Sequence, residues 1–283
     1  MSTPIAVLGT GLLGSAFVEA FIARGERDIT VWNRTRAKAE PLAALGAKVV
    51  DTAAEAVQNA DRIHLVLLDD DTVDETIQAI RGALKPGAVI VDHTTLRPDR
   101  TEARAAALDA AGLEYLHCPV MMGPPAVRAA SGVMFVSGPT ERFSRVKDAL
   151  KVMTGEVIYL GERADMAAAH KLVGNAMSLM IAGNLADIFH LADAMKMPRP
   201  SVLDVFNQVK MENVVAVRSK KMLSEDYKPT FTLEVARKDV RLMIESAGSQ
   251  SVPMLRALAA NMDDAIGAGD GDKDVGVLSR RKG

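Results

Sequence analysis

The chain has 283 residues, of which 48% are apolar and 25% charged, with a formal net charge of -2. That composition describes a globular protein with core material for one large or two moderate domains, and it gives no bulk charge that would draw a nucleic acid. The sole cysteine, Cys118, excludes an internal disulfide, and its place at an apolar strand end before Pro119 suits a small buried residue. The opening MSTPIAVLGTG enters a strand pattern with no basic segment or cleavage site ahead of it. No uninterrupted apolar run reaches the ~18 residues of a membrane span, the longest being broken by His170, Lys171 and Asn175, so a cytoplasmic location without membrane or nucleic-acid partners is expected. The basic ending SRRKG reads as a solvated tail.

Up to about residue 160, short apolar runs (IAVLG, DITVWN, IHLVLL, AVIVDH, LEYLHC) alternate with Ala-rich amphipathic stretches. That rhythm predicts an α/β fold with a mainly parallel sheet covered on both faces, because doubly buried strands are continuously apolar. The charge run LLDDDTVDE predicts a solvated loop and helix start. Two more strand-like runs, GVMFVSG and EVIYL, flank the helical ERFSRVKDALKVM. After GERAD the strand signals stop, and residues 163 to 277 predict helices separated by MKMPRPS, SEDYKPTF and GSQSVP. The expected organisation is a Rossmann dinucleotide-binding domain over residues 1–162 and an all-α substrate and dimerisation domain over 163–283. A long, very apolar helix from about 163 to 195 links them, expected to pack on several sides, a second subunit included.

The first strand leads into GTGLLG, residues 9 to 14, which sets Gly9, Gly11 and Gly14 at GxGxxG spacing at a helix start, with Thr10, Leu12 and Leu13 between them. The glycines allow a tight turn, approach of a pyrophosphate and close helix-to-strand packing, and the helix N-terminus offers free N–H groups. At the end of the second strand, where an acid usually holds the ribose diol of NAD, this chain has Asn33, Arg34 and Thr35. A neutral amide, a planar cation and a hydroxyl suit a 2′-phosphate, so NADP(H) is the expected cofactor. Leu67 and Leu68, following another strand, are placed to touch it.

Lys171 and Asn175 interrupt the apolar stretch AAAHKLVGNAM four residues apart, on one helix face. Hydride transfer to C=O or C=N makes the heteroatom more basic, and an ammonium beside it is a suitable proton donor. His170 points about 100° away and is expected to pack or face solvent. The five histidines and Cys118 show no metal-ligand spacing, so no metal is expected.

The elements GTGLLG, DHTTLRP, CPVMMG, HKLVGN and RKDVRL, in this order, resemble the β-hydroxyacid dehydrogenase family, which includes 3-hydroxyisobutyrate dehydrogenases and glyoxylate and succinic semialdehyde reductases. The resemblance implies a homodimer or homotetramer formed through the helical part, with the site between the domains. It makes Lys171 the general acid or base, supported by Asn175. It places Thr94 and Thr95 beside substrate and nicotinamide, Lys238 near the cofactor, and Asp239 and Phe231 at the substrate. An acid near Lys171 would offset the cost of burying its ammonium. The family's Ser-Gly-Gly carboxylate clamp becomes Met121, Met122 and Gly123 here, and methionine offers no useful donor.

The same stretch, with VWNRTRAKAEPLAALGAK and SGPTERF, resembles imine reductases, which generally place Asp or Tyr at the position of Lys171. The function expected is NADPH-dependent reduction of a small carbonyl compound, a semialdehyde or β-hydroxyacid relative. The alternatives are imine reduction in a Met-lined apolar pocket and a dinucleotide-binding protein without turnover.

Overall fold

The structure is a computed structural model that describes residues 3–280, divided into one unit ending at Ala176 and a second beginning at Met177. Met1 and Ser2 of the opening segment, and Arg281, Lys282 and Gly283 of the basic tail, lie outside the described residues. Arg280, the last described residue of that tail, pairs with Asp270 at 2.8 Å.

In the first unit, the apolar runs form β1 (Ile5–Leu8), β2 (Ile29–Trp32), β4 (Arg62–Leu65), β5 (Val89–Asp92) and β6 (Glu114–His117), and a two-residue β3 (Lys48–Val49) is added at the edge. They make one parallel sheet in the order β3-β2-β1-β4-β5-β6. All four residues of β1, β4 and β5 are buried, as expected for strands covered on both faces. One face is packed by α1 (Leu12–Ala23), α5 (Pro124–Arg128) and α6 (Thr140–Lys151), through Phe17, Phe21, Val127, Phe143 and Leu150. The other is covered by α2 (Ala53–Val57), α3 (Asp70–Ile80) and α4 (Pro98–Ala110), through Val57, Val73, Ile77, Ile80 and Leu108.

From β1 the chain runs outward to β2 and β3 and then crosses to β4, so a crevice opens at the carboxyl ends of β1 and β4, where ligands of such sheets bind. A second sheet of β7 (Val120–Met121), β8 (Val133–Val136) and β9 (Glu156–Tyr159) follows, with β7 antiparallel and β9 parallel to β8.

The acidic run after β4 is less solvated than its composition suggests. Asp69 caps α3 by accepting the Thr72 N–H at 2.9 Å, while Asp70 is buried and meets Arg104 at 3.0 Å. Arg104, itself buried, needs that carboxylate, which explains why one acid of the run turns inward.

Helix α7 (Met166–Ala194) begins in the first unit and continues into the second, which also holds α8 (Arg199–Val209), α9 (Met211–Ser224), α10 (Leu233–Ala247) and α11 (Pro253–Ala265). The core of the second unit is Leu233, Ala236, Val240, Ala259, Met262 and Val277. Asp187 of α7 is buried and accepts the Leu255 N–H at 2.8 Å, so a carboxylate from one helix satisfies an orphan donor in the first turn of another.

The apolar run in α7 is broken by His170, Lys171 and Asn175 as expected, yet averaged over a window α7 is long and apolar enough to cross a bilayer by length and composition, with a mean hydropathy of 1.4. Its polar interruptions are too few to lower that average. In the single chain Leu179 is 71% and Val173 63% exposed, an apolar face of the helix that the chain's own described residues leave uncovered.

Candidate active site

The glycine loop has the geometry its spacing predicts. Gly9 adopts φ 98°, and a Cβ there would lie 2.2 Å from the Val66 carbonyl oxygen. A Cβ on Gly14 would lie 1.9 Å from the Gly9 carbonyl oxygen, so only glycine lets α1 pack this closely on β1. Gly11 is different: a Cβ there meets nothing within 4 Å, and its side faces open space at the N-terminus of α1. Leu12 is exposed, Leu13 packs on the core, and the buried Thr10 hydroxyl has no partner among the described residues.

A cavity of about 710 Å³ lies along these strand ends, lined among others by Gly9, Gly11, Asn33, Arg34, Leu67 and Leu68. Trp32, Lys38, Val66 and Thr76 also line it, and the sequence reading did not include them. Asn33 is committed to the backbone at both ends of its amide: it accepts the Thr10 N–H at 3.0 Å and donates to the Thr35 carbonyl at 2.9 Å. Its work in this structure is to tie the glycine loop to the end of β2. The Arg34 and Lys38 side chains make no hydrogen bond or ion pair among the described residues. By contrast Arg36 is occupied by Glu40 at 3.1 Å and Asp51 at 2.5 Å. The cavity therefore presents two exposed cations whose side chains make no hydrogen bond or ion pair among the described residues, beside the Thr35 hydroxyl and together with an open helix N-terminus. That donor set fits a phosphorylated dinucleotide.

Lys171 lies on the part of α7 that belongs to the first unit. Its ammonium donates to the Val120 carbonyl at 2.7 Å and touches the Met121 Sδ at 3.6 Å. Burial lowers its pKa from the ordinary lysine value. A carbonyl and a thioether are the groups on the ammonium, where the sequence reading expected a carboxylate. Asn175 is half-buried one turn further along the same face. A Cβ on the intervening Gly174 would lie 3.0 Å from the Met121 Cε, so this glycine gives the methionine room against the helix.

The Met121-Met122 pair is divided at the end of β7, of which Met121 is the last residue. Met121 lies against Lys171, whereas Met122 packs into the core of the first unit. Gly123 is exposed and precedes Pro124 at the start of α5. His170 Nδ1–H donates to the Met166 carbonyl of its own helix at 2.8 Å, and the ring packs on Phe135. Thr94 is buried and its hydroxyl accepts the Leu67 N–H at 3.1 Å, while Thr95 is exposed.

The remaining expected residues stand on the second unit. Lys238 and Asp239 pair with each other at 2.6 Å. Phe231 packs on the helical core beneath the Arg218 guanidinium, 5.9 Å from its ring centre.

A family model described as the NAD binding domain of 6-phosphogluconate dehydrogenase matches residues 4–161, and one described as NAD-binding of NADP-dependent 3-hydroxyisobutyrate dehydrogenase matches 166–280. The chain belongs to the β-hydroxyacid dehydrogenase family. It is an NAD(P)-dependent oxidoreductase, with the Rossmann unit followed by helices that the family requires.

The NADPH-dependent reductive aminase of Aspergillus oryzae is 26% identical, over 98% of this chain and 96% of that protein. A solved imine reductase from Myxococcus stipitatus in complex with NADP+ is 25% identical, with a TM-score of 0.87 over 98% of this chain and 99% of that one. The cytokine-like nuclear factor N-PAC of Gallus gallus is 27% identical over 91% of this chain, which spans about half (47%) of that longer protein.

Proposed function

We propose that this dehydrogenase-family member uses NADP(H) to reduce a small carbonyl compound and that Lys171 delivers the proton. The observation that carries this reading is the Lys171 ammonium, half-buried against Met121 with no carboxylate to hold its proton. NADPH supplies the hydride. Arg34, Thr35 and Lys38 would hold its 2′-phosphate, and the N–H groups at the start of α1 its pyrophosphate. As the carbonyl carbon is reduced, its oxygen becomes an alkoxide, and Lys171 protonates it; in the oxidative direction the free amine takes the alcohol proton. Asn175 orients the same oxygen from one helical turn away, and Thr95 offers a free hydroxyl at the end of β5. Phe231 and Asp239 complete the substrate side in this reading, with Lys238 beside the cofactor.

Met121 favours a second reading, reduction of an iminium. Its thioether takes the place of a hydroxyl that would grip a carboxylate, and it disfavours anionic substrates while accommodating apolar ones. The similarity to a reductive aminase and an imine reductase supports this alternative.

The test is NADPH consumption against semialdehydes, ketoacids, ketones and cyclic imines, using wild type and Lys171→Ala. Carbonyl turnover that falls about 10²-fold or more in the variant, with NADPH affinity nearly unchanged, is the expected result. Turnover confined to imines and insensitive to Lys171→Ala would establish the second reading. Tight NADPH binding with no turnover would place the chain with non-catalytic dinucleotide binders.

The active form is a homodimer or homotetramer. The exposed apolar face of α7, and an apolar depression of about 300 Å³ lined by Met195, Val202, Phe206 and Met211, would be covered by a second copy. Light scattering should give at least twice the 30.2 kDa chain mass at micromolar concentration, and a monomer would refute the assignment. An enzyme drawing on the NADPH pool works in the cytoplasm in this proposal.

A further inference from the structure

Beneath the strand ends lies a polar network that the reaction scheme above leaves without a role. Asp92, Thr94, Tyr115 and His117 are all buried, as are His64 and His93 on the α1 side of the sheet. The Thr94 peptide is held at both ends. Its N–H donates to Asp92 Oδ1 at 2.9 Å, and its carbonyl accepts from His117 Nε2 at 3.0 Å. The other Asp92 oxygen accepts the Tyr115 hydroxyl at 2.9 Å. Held in this way, the Thr94 hydroxyl accepts the Leu67 N–H at 3.1 Å, and Leu67 lines the cofactor cavity.

The partners assign the protons. A carbonyl can only accept, so His117 carries its hydrogen on Nε2, leaving Nδ1 bare and without a partner among the described residues. His93 likewise donates from Nδ1 to the Cys118 carbonyl at 2.7 Å. Its Nε2 must then accept from His64 Nδ1 at 2.9 Å, which leaves His64 Nε2 bare. One arrangement of three neutral imidazoles therefore makes every N–H in the network a donor to a buried acceptor, and the two nitrogens left over carry no hydrogen.

We infer that His117 and Asp92 are positioning residues: by clamping the Thr94 peptide they set the Leu67 backbone against the dinucleotide and the Thr95 hydroxyl toward the substrate. The part concerning Thr95 rests on the function proposed above, whereas the part concerning Leu67 rests on the cavity alone. The clamp acts through Thr94, and neither His117 nor Asp92 touches a reacting atom in this scheme.

The experiment compares His117→Leu, which removes the donor, with His117→Gln, whose amide N–H can stand where Nε2–H stood. Three quantities are measured on each: hydrogen exchange at the Leu67 amide, NADPH affinity by quenching of Trp32, the sole tryptophan and a wall of the cavity, and melting temperature. In His117→Leu the Leu67 amide should exchange at least about 10-fold faster while the Val7 amide of β1 stays slow, and NADPH Kd should rise about 5- to 10-fold. His117→Gln should recover both to within about 2-fold. Equal losses in the two variants, or a lower melting temperature in His117→Leu with unchanged Leu67 exchange and NADPH affinity, would reduce His117 to ordinary core packing and overturn the inference. The exchange measurement needs neither cofactor nor substrate, so it stands even if no carbonyl or imine is turned over.

Discussion

Arg34 and Arg36 are two residues apart, yet one is committed to carboxylates and the other is not. Arg36 holds Glu40 and Asp51, whereas Arg34, whose charge reaches Asp69 without pairing with it, faces the cavity edge beside Thr35 and Lys38. Its guanidinium fork suits a phosphate monoester, and a carboxylate in its place would repel one and accept a ribose diol instead. Arg34→Asp should accordingly lower the NADPH-to-NADH preference at least about 10-fold, measured as the ratio of kcat/KM values; an unchanged ratio would mean that Lys38 and Thr35 hold the 2′-phosphate without it. The glycine loop, Arg34 and Lys171 were legible in the sequence because each depends on local spacing or on an evident break in apolar character. Lys38 was not, since whether it walls the cavity depends on the short 3-10 turn after β2, which has no periodic signature, and Trp32 ends a strand whose apolar run reads only as core. The division of labour between Met121 and Met122 was hidden for a related reason: it falls at the end of a two-residue strand, too short to leave a pattern in the sequence.

At the scale of elements, the second unit turns on a single carboxylate. Asp274 is fully buried and accepts the Thr230 N–H at 3.0 Å, the Thr230 hydroxyl at 2.9 Å and the Gly276 N–H at 3.1 Å. It also meets Arg218 at 3.1 Å and Lys221 at 3.3 Å, both from α9. Burial alone would raise its pKa, but the bonds from Thr230, Gly276 and Lys221 hold it well below the usual carboxylate range. One group thus joins α9, the segment before α10 that carries Phe231, and the C-terminal turn. Asp274→Ala leaves two cations and two N–H groups without their acceptor and should cost about 3 kcal/mol or more, seen as a lower denaturant midpoint. A midpoint within experimental error of wild type would show that water replaces the carboxylate. The alternation of strand and helix made the parallel sheet legible from apolar runs alone. This hub was not legible, because its partners come from 44 and 56 residues away in the chain and no local pattern marks them.

For the whole molecule, the three buried histidines tie stability to pH. Burial pushes His64 well below the ordinary imidazole value, with His93 and the Arg62 cation adding to the effect. It lowers His93 to about 4 despite the Cys118 carbonyl and Asp92, with His117 opposing protonation. His117 is lowered as well, by burial first, with Asp92 and Asp70 acting against it and Arg104 with it. An unfolded chain takes up these protons near pH 6.5, and the folded one resists them until well below that, so between about pH 6.5 and 4 the unfolded state binds more protons. Stability must then rise with pH across that window: it is fully present above about 6.5 and is lost as the solution is acidified. From 6.5 to about 4, His93 alone accounts for a loss on the order of 3 kcal/mol. Near pH 5 the slope of unfolding free energy against pH should reach an uptake of at least about two protons, from His64 and His93, or about 3 kcal/mol per pH unit, with His117 adding in the same direction. Denaturant titrations from pH 7.5 to 4.5 measure it directly. His93→Gln, with one titrating group fewer, should lower that slope by about one proton. A slope near zero down to pH 4.5 would mean that the histidines are charged in the folded protein, and then the all-neutral arrangement beneath Thr94 could not be the native one.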